Sequence, residues 1–597
     1  MKKLFLLIIS LTVILSAQDT SNNPDITQEE IKAHIKYLAS DELEGRLAGS
    51  EGGRKAAQYI KEQFESYGLL PFYNGSYFQE FEFIQSIELG DNNSVKFSYG
   101  DKTISPELKA EFVVAPFSGN KTITAPLAFA GYGISSSKLN YDDYTGLDLE
   151  GKIAIIMRYN PEHDSSMSEF DRFSSLRVKA SAARENGALG VIFVNGYKPN
   201  EEDELIEFKY DRGPLMNDFP IVHVKRNIID ELLKSEGFDL AELQEEIDKN
   251  KSPKSFALQN AKASLSTNIN EVKVKGNNVA GYVEGSDPVL KNEYVVLGAH
   301  FDHLGWGIDG SLYRGDEPMI HNGADDNASG TTGLLEIAEK VAANKELFQR
   351  SVVFIAFNAE ELGLLGSAYT VNNFPVDIKN VSAMFNMDMI GRLNDEKSLT
   401  VIGAATSSIW KKLLEENNTY NFVLKLNDDG WGGSDHQSFT LKEVPVLFFF
   451  TGIHEDYHKP SDDWDKINYN GEKEVTDYVY TLLTITSELD ERPDYVKVER
   501  ETLHGGKSGY GKVYVGTIPE FGWNGEGFKL GGVSEGGPAQ KAGLQSGDIM
   551  IQFGEKKVAN IYDFMYGMND HKPGDTVKVK VLRDGEEMEF DVVLENK

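Results

Sequence analysis

Between residues 290 and 490, four short apolar runs at 294–297, 352–357, 381–385 and 444–450 alternate with helical stretches such as 329–343. Near-continuous apolar runs of this length suit strands buried on both faces. Strand–helix alternation then predicts an α/β domain with a mostly parallel, doubly wound sheet. In open sheets of that kind, ligands bind beyond the carboxyl ends of the strands.

Those ends carry acid or imidazole in every case. The first run leads into His300, Asp302 and His303, and the second into Glu360 and Glu361. The third leads into Asp388, and the fourth is followed by His454 and His458. Between the first two lies the loop Asn322-Gly323-Ala324-Asp325-Asp326-Asn327-Ala328-Ser329-Gly330, which enters a helix. Each feature alone is ordinary, since a single Asp before a helix is a cap and paired glutamates are usually solvated. Four strand ends that converge with such side chains are different, because like charges at close range need a cation to stay ionised.

The chain has no cysteine, which removes disulfides, thiol catalysis and thiolate metal sites. Any metal must be held by His and carboxylate, a donor set that suits catalytic zinc. Three carboxylates and two zinc ions come to neutrality with one bridging hydroxide, so the charge tally favours two Zn2+ per chain.

With 597 residues the chain exceeds one compact core, and its net charge of −34 disfavours nucleic acid and anionic membranes as partners. Met1-Lys2-Lys3, an apolar run over 4–15 and Ser16-Ala17 have the form of a signal peptide over 1–17. The protein is therefore expected to be exported, periplasmic or secreted, with no membrane span in the mature chain. Thr27-Gln28-Glu29-Glu30 has the capping-box form and opens a first helix; a second is expected over about 53–67. Residues 108–266 change to short strands and glycine turns, and a separate strand-rich unit follows a polar linker after Pro493.

The motifs around His300-Phe301-Asp302-His303, Asp325, Asn358-Ala359-Glu360-Glu361-Leu362-Gly363 and Asn386-Met387-Asp388 resemble those of the di-zinc aminopeptidase family. Leu43-Glu44-Gly45-Arg46, Ser434-Asp435-His436 and Tyr457-His458 extend the likeness. The resemblance implies a zinc exopeptidase domain over 24–107 and 267–492. It implies that Asp325 bridges the metals, with His300 and Asp388 completing one site and Glu361 and His458 the other. Glu360 matches the general base, Asp302 the acid that orients His300, and Tyr457 a residue that helps to stabilise the oxyanion. Residues 108–266 resemble a protease-associated insert, through Tyr141-Asp142-Asp143-Tyr144 and Gly151-Lys152-Ile153-Ala154. Residues 505–597 resemble a PDZ domain, a module that takes a peptide as an added strand. Its partner would be a peptide or the catalytic domain, since Glu526 in the expected carboxylate loop repels a C-terminus.

The expected activity is hydrolysis of N-terminal residues from peptides. The alternatives are a carboxypeptidase, for which Arg392 is a candidate carboxylate binder, a single-zinc glutaminyl cyclase and a non-catalytic binding protein. His454-Glu455-Asp456-Tyr457-His458 also matches the His-Glu-x-x-His pattern of other zinc proteases. That pattern works on a helix, and Gly452 before it and Pro460 after it predict none.

Overall fold

The computed structural model describes residues 25–597 apart from 164–167, 200–201, 212, 314, 316, 499–512, 520–526, 534–535, 546, 559–563, 565–566, 569–570, 584 and 597. The expected signal peptide over 1–17 and the PDZ loop residue Glu526 lie outside the described residues.

Helix α1 (Gln28–Leu38) begins at Thr27, whose Oγ1 accepts the Glu30 amide at 3.2 Å, as a capping box predicts. The reciprocal half of the box is rearranged. Thr27 donates its hydroxyl to Glu30 and its backbone N–H to Glu336, 309 residues away. Helix α2 (Glu51–Ser66) follows, with Ala56, Ala57, Ile60 and Phe64 on its buried face.

The α/β region is built on a nine-stranded sheet among the described residues. Its main strands are β1 (Phe78–Leu89), β2 (Ile269–Val283), β3 (Tyr294–His300), β4 (Ser351–Phe357), β5 (Val381–Met387), β6 (Ser398–Ile402), β7 (Val423–Asn427) and β8 (Val446–Phe450). They lie in the order β2-β4-β3-β5-β8-β6-β7, with β1 also on β2. The β4-β3-β5-β8 centre is parallel, whereas β2 runs antiparallel to β4, and β6 antiparallel to β8. The sheet is thus mixed, with a parallel core where the expected strands fall.

Alternation along β3 and β4 explains why both faces are covered. Val295, Leu297, Val352 and Phe354 face α1, α2, helix α3 (Gly330–Ala343) and the long helix Tyr469–Glu488. Val296, Val353 and Ile355 pack on the other side with Val371 of helix Leu365–Asn372 and Phe439 of helix His436–Thr440. The register pairs His300 with Phe357, and Gly298 with Asn386. The carboxyl ends of the three parallel strands therefore finish side by side.

Between β1 and β2 the chain forms an eight-stranded sheet with two hydrophobic cores of its own. After the α/β region comes a third unit, among the described residues a six-stranded sheet around Phe528, Leu530, Met550, Phe553 and Val579. Among the described residues, no helix is long and apolar enough to cross a membrane.

Candidate metal centre

His300 ends β3 and is nearly fully buried. Its Nε2 lies 3.4 Å from Asp326 Oδ1, 3.3 Å from Asp388 Oδ1 and 3.9 Å from Glu360 Oε2. On the other side, Asp326 Oδ2 lies 3.2 Å from His458 Nε2, which is itself 3.4 Å from Glu361 Oε2. Two donor groups result, His300–Asp326–Asp388 and His303–Asp326–Glu361, and Asp326 belongs to both.

The expected bridge, Asp325, is not at this position. Its Oδ1 accepts the Gly391 amide at 2.7 Å and the Ser329 hydroxyl at 3.0 Å, while Oδ2 lies 3.1 Å from His454 Nε2. Asp462 fixes the difference, because its Oδ2 accepts the backbone N–H groups of both Asp325 (2.9 Å) and Asp326 (3.1 Å). With the turn pinned there, Asp325 is taken up by the Gly391 amide, the Ser329 hydroxyl and His454, and Asp326 faces His300 and His458. The Asp326–Asn327 peptide bond is cis.

Asp302 also differs in detail from the expected arrangement. His300 Nδ1 is 3.2 Å from the Asp302 backbone oxygen and 3.8 Å from its carboxylate. The carboxylate instead accepts the backbone N–H of Glu360 at 3.0 Å and of Glu361 at 3.3 Å. Asp302 thus positions His300 through its main chain and the glutamate pair through its side chain. Burial lifts its carboxyl to about 7, against the pull of His300.

Two residues without an assigned role in the sequence reading hold this centre. His303 Nδ1 is 2.8 Å from Glu361 Oε1. Arg46 is fully buried and donates only to backbone carbonyls, namely those of Leu38, Phe301 (2.7 Å), Asn322 (2.6 Å) and Gly323 (2.9 Å). It ties the end of α1 to the start of both site loops. Gly45 beside it has φ +67°, and a Cβ there would stand 2.4 Å from the His321 oxygen, so that turn requires glycine. Leu43-Glu44-Gly45-Arg46 was the legible signal, and only its use was hidden.

Tyr457 stacks on His458 at 3.8 Å between ring centroids and packs on Met389, Ile402, Phe448 and Phe450. Residues 454–458 form turns with no helix, and His454 and His458 face different aspartates. The helical zinc-protease geometry is therefore absent from this segment. Ala359, Met389 and His458, each at or next to a site residue, have positive φ of 58°, 53° and 54°. Non-glycine residues in that region cost ~1–3 kcal/mol each and persist where the surroundings over-determine them.

The electrostatics call for a cation. Burial alone would lower His300, yet Asp388, Glu360 and Asp326 together hold it well above the usual imidazole range. Burial also holds Glu360 well above the usual carboxylate range, with His300 opposing and Glu361, Asp435 and Asp388 adding to it. Asp388 Oδ1 and His303 Nε2 are buried atoms with no hydrogen-bond partner among the described residues. Imidazole nitrogen and carboxylate oxygen converging around such atoms fit zinc.

Family profiles match three parts of the chain: a PA domain over residues 120–232, peptidase family M28 over 278–483 and a PDZ domain over 512–594. The chain is similar to Aminopeptidase YwaD of Bacillus subtilis (strain 168), at 26% identity over 388 residues, covering 63% of this chain and 70% of that protein. It is 28% identical over 199 residues to Leucine aminopeptidase 1 of Ajellomyces dermatitidis (strain ER-3 / ATCC MYA-2586), covering 31% and 50%. Among solved structures, an aminopeptidase from Aneurinibacillus sp. strain AM-1 aligns with a TM-score of 0.44 at 23% identity, covering 79% of this chain and 96% of that one. The chain carries a peptidase family M28 domain, with a PA domain ahead of the matched segment and a PDZ domain behind it.

Proposed function

We propose that this protein is an exported, di-zinc aminopeptidase that removes N-terminal residues from peptides. The observation that carries the reading is Asp326, whose Oδ1 faces His300 beside Asp388 while its Oδ2 faces His458 beside Glu361. His300 and Asp388 would hold one ion and Glu361 and His458 the other, with Asp326 between them. Zinc bound there supplies a water of lowered pKa and polarises the scissile carbonyl. His303 holds Glu361 in place, and Asp302 fixes the backbone of Glu360 and Glu361. Glu360, beside His300 and mostly shielded from solvent, takes the proton of the attacking water and delivers it to the leaving amine. Tyr457, stacked on His458 at the rim, contributes to the oxyanion's stabilisation. Similarity to proteins named as aminopeptidases supports the direction of cleavage. Export rests on the apolar run at 4–15.

Arg392 argues against the carboxypeptidase alternative. Its Nη2 is already 2.9 Å from Asp456 Oδ2 and 3.5 Å from Asp462 Oδ1, so its charge is already answered by two carboxylates of the chain. A single-zinc cyclase leaves the second donor group without a use.

The test is a set of dipeptides blocked at one end or the other, assayed with zinc and with chelator. Cleavage of free-amine substrates with two zinc ions per chain is expected; cleavage only of N-blocked substrates overturns the reading. Glu360→Gln should lower kcat by ~10²–10⁴-fold with metal content unchanged. Glu455→Gln should largely spare activity, because Glu455 is exposed on the turn.

A further inference from the structure

The catalytic machinery leaves one conspicuous segment unused, the long connection from His303 to His321. Five large apolar side chains stand out from it: Trp306, Ile308, Leu312, Tyr313 and Met319, from 38% exposed at Leu312 to 73% at Ile308. Single exposed apolar residues need no explanation, but five on one loop call for one.

This loop is tied to the metal centre along its length. At its base, Gly305 N–H donates to the Gly45 oxygen at 3.0 Å, and His321 N–H donates back to the Gly305 oxygen at 2.8 Å. In its middle, His458 Nδ1 lies 2.9 Å from the Gly310 oxygen, and Leu312 N–H donates to the His458 oxygen at 2.9 Å. At its outer edge, Asp309 Oδ1 pairs with Lys209 Nζ of the PA region at 2.8 Å. The backbone of the loop around Gly310 and Leu312 is therefore held beside His458, and its apolar side chains are exposed.

A second apolar group borders the centre and is of the opposite kind. Met389, Ile402, Phe448 and Phe450 are almost wholly buried, with Ile453 and Tyr457 packed on them. An enzyme that removes one terminal residue needs an enclosed pocket on one side of the scissile bond. On the other side it needs an open surface, because the rest of the peptide must run out to solvent. The buried group is shielded from solvent, whereas the exposed loop is open to it.

We propose that the 304–313 segment forms the leaving-group side of the substrate cleft and selects peptides with large apolar residues immediately after the scissile bond. The proposal rests on the aminopeptidase reading. Partial burial of one or two such side chains against Trp306 and Ile308 gives about tenfold discrimination over glycine.

The test uses the full chain with zinc and three substrates: Leu-Phe-Phe, Leu-Gly-Gly and leucinamide, which has no residue after the scissile bond. Wild-type kcat/KM should favour Leu-Phe-Phe over Leu-Gly-Gly by about tenfold. The double variant Trp306→Ser/Ile308→Ser, altered only at exposed positions, should erase that preference through KM and leave leucinamide turnover unchanged. Absence of the preference in wild type overturns the proposal, as does an equal loss on leucinamide. A preference that the double variant leaves intact overturns it too, and is the result expected of a self-association surface. Failure of all three substrates in wild type removes the aminopeptidase reading instead, and this proposal with it.

Discussion

The domain contains two buried groups of acids, and they solve the same electrostatic problem in opposite ways. At the front, Asp326, Glu361 and Asp388 meet imidazoles around common points. At the rear, Glu336 of α3 and Glu472 of helix Tyr469–Glu488 are as deeply buried, with His34 of α1 beside Glu336. There His34 Nε2 is 3.6 Å from Glu336 Oε1, but the two are not an ion pair. Burial pushes the Glu336 carboxyl up to about 9 and the His34 imidazole down to about 4, so at neutral pH both are uncharged. Glu472 is likewise held well above the carboxylate range by burial, then by Asp325 and Glu336. Acid content does not distinguish the two groups. What does is convergence: among the described residues, the rear acids meet no third ligand within metal-binding distance.

The sharpest way to break this comparison is at the front turn. Asp326→Asn should lose bound metal and reduce turnover by more than ~10²-fold, whereas Asp325→Asn, changed behind the ligands, should stay within ~10–100-fold. Metal retained in Asp326→Asn but lost from Asp325→Asn would return the bridge to Asp325.

Removal of metal comes next. A ligand that binds only the folded state stabilises it by about 4 kcal/mol at a thousand times its dissociation constant. Chelation should therefore lower Tm, and zinc should restore it. Glu336→Gln should show the same zinc-dependent increment, since the rear group holds none; a smaller increment would mean that the two groups are coupled.

The smallest effect is the pH response of the rear group. Below about 4.5, Glu336 is protonated in both folded and unfolded chains and imposes no penalty. Between there and about 9 the folded chain keeps a proton that the unfolded chain releases, so stability declines as pH rises. Glu336→Gln removes that decline. Its gain should be negligible at pH 5 and grow toward pH 9 to on the order of 1–3 kcal/mol, read from urea unfolding across pH. A gain independent of pH would mean that Glu336 does not change protonation on folding.

Much of this was legible in the chain because strands and caps leave local signals. The capping residue Thr27, the four parallel strands and the residues at their carboxyl ends follow from pattern and composition. The bridge did not, because Asp325 and Asp326 are adjacent in an irregular turn where no periodicity assigns a face. Asp462, 136 residues beyond Asp326, settles which one turns inward. His303 was hidden for a similar reason: one position among three polar residues after a strand has no preferred role until Glu361 is beside it. The sheet's mixed character came from β2 and β6, whose direction depends on connections rather than on local sequence.

Arg46 has a consequence for how the protein is made. Its four backbone partners include Phe301, Asn322 and Gly323, between 255 and 277 residues downstream. The eight-stranded unit that intervenes closes on its own hydrophobic cores and lies wholly before them in the chain. During synthesis that unit can fold while α1 and α2 still wait for their sheet, and the first sixty or so residues stay uncommitted until the strand ending at His300 has emerged. The same guanidinium that steadies the two site loops therefore cannot find all its partners until Gly323 has been made, and the start of the chain is locked to its middle.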